Sequence, residues 1–179
     1  MGYYNPILSY GIGQAVKDAA SSGVDGFIVA DLPVEEAQPL QQLCSDYSMA
    51  WIPLLAPTST DSRIKLACSK AHGFVYCVSL TGVTGARSGI LGDVEGFVFR
   101  VRSNTNLPLA VGFGISHREQ VASVSKYADA VVVGSALLDT VFQSEAFERV
   151  TRIQEFLFGL RSDGDCVTEE GHGASMPRN

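Results

Sequence analysis

Two apolar runs, each ending in glycine just before a helix signal, constrain this chain more than any other feature. In the first, residues 107–116 read Leu-Pro-Leu-Ala-Val-Gly-Phe-Gly-Ile-Ser, so the apolar stretch 109–111 breaks into Gly112-Phe113-Gly114. Ser116 and Glu119 have the spacing of a capping box, which predicts a helix N-capped by Ser116. In the second, residues 130–133 end in Gly134-Ser135 ahead of the helical run 136–142. Each turn sets backbone amides beside a helix start, where an anion is favoured. Turn chemistry alone accounts for many single glycines of this kind. Two successive βα turns built alike are more specific, because they form a phosphate cradle after the last two strands of many (β/α)8 barrels.

The rest of the chain alternates between strand and helix signals in the same way. Ile12, Ala15, Val16 and Ala19 mark a helix closed by Gly23. Residues 26–30 form a near-continuous apolar strand, as expected where both faces of a parallel sheet are covered. Asp31-Leu32-Pro33 then leads into a helix, with Pro33, Glu35 and Glu36 in its first turn and Ala37, Leu40, Leu43 and Cys44 as its inner stripe. Residues 51–55 make a strand bent at Pro53. Thr58 with Asp61 is expected to cap a helix whose inner face is Ile64, Ala67, Cys68 and Ala71. Residues 74–78 are a strand, and Val94, Phe97, Val98 and Val101 mark a helix. Between them, residues 80–91 hold three glycines and no apolar period, which suits a functional or mobile loop. Residues 143–160 are expected to form one terminal helix through Phe147, Val150, Ile153 and Leu157, with Phe142, Phe147, Phe156 and Phe158 as core filler. Residues 161–179 read as a disordered tail.

Gly2-Tyr3-Tyr4 resembles the end of a strand, with Asn5-Pro6 as the loop leaving it. The count is then five strands and a fragment of a sixth, against the eight of a closed barrel. The expected architecture is α/β: an incomplete (β/α)8 TIM barrel over residues 1–160, holding about its last five to six βα units. At 179 residues the chain is also shorter than the usual barrel of about 250.

A net charge of −6 without a basic run argues against nucleic acid. It leaves a phosphorylated substrate open, because charge-assisted hydrogen bonds from local amides outweigh distant, screened charges. Cys44, Cys68, Cys77 and Cys166 have no Cys-x-x-Cys spacing, which suggests reduced thiols and a cytoplasmic protein. His72, His117 and His172 lack partners at metal-ligand spacing, so no metal site is expected. No apolar run reaches membrane-spanning length, and the first residues do not read as a signal peptide.

Five motifs in order, Gly2-Tyr3-Tyr4-Asn5-Pro6, Val29-Ala30-Asp31-Leu32-Pro33-Val34-Glu35-Glu36, Gly82-Val83-Thr84-Gly85-Ala86, Gly112-Phe113-Gly114-Ile115-Ser116 and Val133-Gly134-Ser135-Ala136, closely resemble the tryptophan synthase α subunit family. The resemblance implies a lyase of tryptophan biosynthesis that cleaves indole-3-glycerol phosphate by a retro-aldol reaction, giving indole and glyceraldehyde 3-phosphate. It implies no cofactor in this chain, and a β subunit or fused β domain carrying pyridoxal phosphate as partner. By the same resemblance, Gly85, Gly114, Gly134 and Ser135 hold the phosphate, and Tyr3, Ile28, Leu54, Tyr76 and Phe113 line the indole pocket. Thr84 belongs to a lid, and Asn5 and Pro33 lie on the face toward the partner. Tyr76 equally suits a barrel core, and Ser135 could simply start its helix. Asp31, at the C-terminal end of a strand where barrel chemistry lies, has no primary acid–base role in the family and reads as a residue supporting the site from behind or as a turn residue. The family's catalytic Glu and Asp precede the position matching Met1, so no catalytic residue is expected here and the chain is expected to be inactive alone. Other readings are a non-catalytic fragment or modulator that binds a β subunit, or another phosphate-binding barrel such as a sugar-phosphate isomerase or indole-3-glycerol phosphate synthase.

Overall fold

The computed structural model describes residues 1–79, 94–112 and 114–161. The expected loop with Thr84 and Gly85, the pocket residue Phe113, and the tail beyond residue 161 with Cys166 and His172 therefore lie outside the described residues. The elements run α1 (Tyr4–Tyr10), α2 (Ile12–Ser21), β1 (Gly26–Ile28), α3 (Gln38–Asp46), β2 (Ala50–Ile52), β3 (Leu54–Leu55) and α4 (Asp61–Lys70). They continue with β4 (Val75–Val78), α5 (Val94–Arg102), β5 (Leu109–Gly112), α6 (Arg118–Val124), β6 (Ala130–Val132), α7 (Ser135–Gln143) and α8 (Arg149–Leu160).

Every strand pairing is parallel and between sequence neighbours: β1 with β2, then β3 with β4, β4 with β5, and β5 with β6. Gly2 extends the arc by a parallel bridge to Val29. The interruption between β2 and β3 falls at Pro53, which has no N–H to give a ladder, while its carbonyl accepts from the Tyr76 amide. One predicted strand thus becomes two short ones, and the sheet divides there. Sequential parallel order with intervening helices is the geometry of a βα barrel arc. Its core is continuous, with Leu40, Leu55, Ile64, Val75, Val98, Leu109 and Val111 all under 2 % exposed.

Several local expectations need correction, each for a capping reason. Asn5 and Pro6 do not leave a strand as a loop; they occupy the first turn of α1, where a proline costs no hydrogen bond. Asp31 accepts the Tyr4 amide at 2.7 Å and so caps α1 from a distant turn, which fits its reading as a turn residue. Pro33, Glu35 and Glu36 precede α3 instead of opening it, and Pro39 takes the early helical position. Thr60, not Thr58, caps α4, its side chain accepting from Arg63 N. Ile64, Ala67, Cys68 and Ala71 nonetheless form the buried face as the periodicity requires.

The largest correction is at the C-terminal end. Residues 143–160 are not one helix: α7 ends at Gln143, and α8 starts only at Arg149. Phe142, Phe147 and Phe158 are 78 %, 84 % and 69 % exposed, so they are not core filler. Val150 and Leu157 are exposed too; Leu160 is buried, and Ile153 and Phe156 are half-buried. Among the described residues β6 has a hydrogen-bonded neighbour on one side only. After it α7 and α8 pack on each other and α8 on α6, and among the described residues no strand follows β6. Among the described residues no helix is long and apolar enough to cross a membrane.

Candidate functional site

The C-terminal ends of β4, β5 and β6 converge on a cleft of about 380 Å³, a volume suited to a small metabolite. It is lined by Tyr76 from β4, Gly114, Ile115 and Ser116 from the turn after β5, and Val132, Gly134, Ser135 and Asp139 around β6 and α7. Four of the expected site residues, Tyr76, Gly114, Gly134 and Ser135, therefore meet in one place. Ser79 holds this end of the sheet shut. Both its amide, at 2.8 Å, and its hydroxyl, at 2.9 Å, donate to the Gly112 carbonyl.

Two glycines are required here for different reasons. Gly114 has φ +72°, a left-handed conformation that costs any L side chain energy. Gly112 sits under the Tyr76 ring: a Cβ there would lie 2.1 Å from the Tyr76 hydroxyl and 2.7 Å from Cζ. The phenol thus packs over bare backbone, 4 % exposed, and burial raises its pKa. Tyr76 is consequently a neutral donor or acceptor at physiological pH. It is both a core residue and a wall of the cleft, so the two sequence readings of it coincide.

The two βα turns differ in what their amides do. At α6 the cap is His117, not Ser116, and the reaching side chain is Gln120, not Glu119. Gln120 Oε1 accepts the amide of Ser116 at 2.8 Å and that of His117 at 3.1 Å, so those donors are satisfied within the turn. At α7 the cap is Gly134, which has no side chain to accept a bond, and the first turn holds no acidic residue. Among the described residues no side chain caps that helix, and Gly134, Ser135 and Ala136 at its start line the cleft, where the positive end of its dipole lies. A Cβ built on Gly134 meets nothing within 4 Å. A side chain at Gly134 would thus enter open space, whereas one at Gly112 would clash.

The remaining expected residues lie elsewhere. Leu54 lines a second cleft of about 360 Å³ with Leu32, Pro33, Pro53 and Arg63. Ile28 is half-buried in β1 and lines neither cleft, and Tyr3 is 67 % exposed and lines neither. Asn5 and Pro33 are both exposed and sit on either side of the Tyr4–Asp31 bond, which ties their turns together. Sequence reasoning missed Asp139 as a member of the first cleft. Its signal was the i, i+4 spacing from Ser135, which puts both on one helix face.

Residues 1–161 match the family model for the tryptophan synthase alpha chain. The chain belongs to that family. The alpha chain of Roseiflexus castenholzii is 47 % identical over 161 residues, covering 90 % of this chain and 62 % of its own. The protein of Saccharomyces cerevisiae named tryptophan synthase is 43 % identical over 161 residues, which are 89 % of this chain but 23 % of that one. Among solved structures, the tryptophan synthase a2b2 complex of Pyrococcus furiosus includes a chain with TM-score 0.79 and 36 % identity, aligned over 88 % of this chain and 64 % of that one. The parallel arc described above is thus part of the TIM barrel of alpha chains. The chain spans about three fifths of the length of the curated alpha chains it matches.

Proposed function

We propose that this alpha-family chain grips the phosphate of indole-3-glycerol phosphate in the cleft between Gly114 and Ser135. In this reading it contributes the phosphate-holding part of the lyase reaction that releases indole and glyceraldehyde 3-phosphate. The observation that carries the reading is the open N-terminus of α7, uncapped and without an early acidic residue, in a cleft shared with Tyr76. Amides of Ser135 and Ala136 and the Ser135 hydroxyl are the donors; Tyr76, Ile115 and Val132 receive the organic part. Gly85, Thr84 and Phe113 join this site as phosphate holder, lid and wall, and Ile28, Leu54 and Tyr3 as the outlying apolar wall, on the family resemblance. Asn5 and Pro33 form the face toward a β subunit that carries pyridoxal phosphate. Burial holds the thiols of Cys44 and Cys77 up at about 11 and about 12, so they stay protonated, in keeping with packing roles in a cytoplasmic protein.

Retro-aldol cleavage moves two protons, one off the glycerol hydroxyl and one onto the indole ring. The titratable side chains lining the described cleft are Tyr76 and Asp139. Tyr76 is held protonated by burial and so cannot serve as the base, and Asp139 belongs to the phosphate end. We therefore read the described part of this cleft as supplying binding, since the residues that line it include no pair of carboxylates. Calorimetric titration of the chain with glycerol 3-phosphate is expected to show saturable binding, and incubation with indole-3-glycerol phosphate to give no indole above background. Absence of glycerol 3-phosphate binding would overturn the grip, and turnover by the chain alone would overturn the division of labour. Adding the chain to a β subunit, with β activity as readout, tests the Asn5–Pro33 face; unchanged activity and no complex would remove it.

A further inference from the structure

The anion cleft contains an unexpected negative charge. Asp139 lies on α7 one turn beyond Ser135 and lines the same cleft as Gly134 and Ser135. Side chains on a helix lean toward its N-terminus, so the patch a residue covers lies over the preceding turn. For Asp139 that turn is the one carrying the open amides. A helix of this family unit thus presents an attractive half-charge at its first residues and a full opposing charge just behind them.

We infer that Asp139 sets the affinity of the cleft by repelling the bound anion, a negative determinant that keeps a bare phosphate from being held tightly. The inference rests on the reading of the cleft as a phosphate site. Unit charges one turn apart, about 5.4 Å, interact appreciably even in water, and a dianion doubles the effect. Asp139 is exposed, so screening at a Debye length of about 8 Å halves it in physiological salt, whereas at about 30 Å little is lost. The penalty falls equally on inorganic phosphate and on a phosphate ester. Only the ester offsets it, by burying its organic part against Tyr76, Ile115 and Val132.

The test is titration of the whole chain with inorganic phosphate at two ionic strengths. Asp139→Asn is expected to tighten binding about threefold at physiological salt and about tenfold near 0.01 M, and Asp139→Lys more at both. Asp46→Asn, which removes an equal charge from α3, is expected to change neither. An Asp139→Asn variant that binds phosphate no better than the parent at low salt would overturn the inference. So would an equal gain in Asp46→Asn, which would make the effect one of net charge. If phosphate binds the parent chain and Gly134→Asp abolishes it, while Asp139→Asn changes nothing, the phosphate site stands and only the role of Asp139 falls. If parent and all variants ignore phosphate, both fall.

Discussion

The turn after β5 and the turn after β6 look like twins in sequence, and they are not twins in structure. Both end an apolar strand in glycine and start a helix. At the first, Gln120 folds back and takes the amides of Ser116 and His117. At the second, Gly134 offers no acceptor, and the helix opens onto the cleft. The difference teaches that glycine at a strand end does not by itself free the amides beyond it, because the capping side chain decides which of them are already occupied. The first turn contributes shape, through Gly112 under Tyr76 and the left-handed Gly114. The second contributes donors.

The largest expected effect breaks the shape half. Gly112→Ala must displace the Tyr76 ring and also meets Val132 Cβ at 3.0 Å, so it is expected to cost about 1–3 kcal/mol, as overpacking does. Urea unfolding measures that loss, and glycerol 3-phosphate binding should weaken with it. Next, Gly134→Asp gives the open turn the cap and charge it lacks. Anion affinity should fall about tenfold or more, while stability stays level or rises by a few tenths of a kcal/mol, since glycine is already a fair cap; calorimetry paired with urea unfolding separates the two. Gln120→Ala does the reverse at the capped turn. It should cost about 0.5–1 kcal/mol of stability and leave phosphate affinity no weaker.

The smallest effect lies at the opposite ends of the same strands, and serves as the control. Asp129 accepts from Arg102 and from the Leu109 amide, at 2.7 Å, and these bonds hold its carboxyl below the usual range, the Arg102 bond most. A lowered folded pKa means stability that is full above the unfolded value of about 3.9 and is lost as pH falls through the folded one. Both side chains are part exposed, 35 % and 48 %, so screening keeps the contribution under about 1 kcal/mol. Asp129→Asn should lower stability slightly at pH 7, converge with the parent in acid, and leave phosphate binding untouched.

The sequence made the strand order and inner faces legible because burial on a parallel sheet depends on local period alone. Ile64, Ala67, Cys68, Phe97, Val98 and Val101 follow from it directly. Caps were less legible: Thr58 and Thr60 are equally capable caps two residues apart, and at α6 the reach of Gln120 to the Ser116 and His117 amides sets the start one residue past the better-capping Ser116. Phe142, Phe147 and Phe158 were misplaced for another reason. Period identifies an apolar face but not what covers it, and β6 has an open edge among the described residues. Asp139 was overlooked because a carboxylate one turn into an amphipathic helix looks like ordinary solvated surface.

The central claim is that α7 holds the phosphate with its opening amides while α6 keeps its own occupied. Backbone amide shifts followed through a phosphate titration test it most directly. The account predicts the largest changes at Ser135 and Ala136, and little change at Ser116 and His117. Shifts centred on Ser116 and His117, or none at either turn, would contradict it.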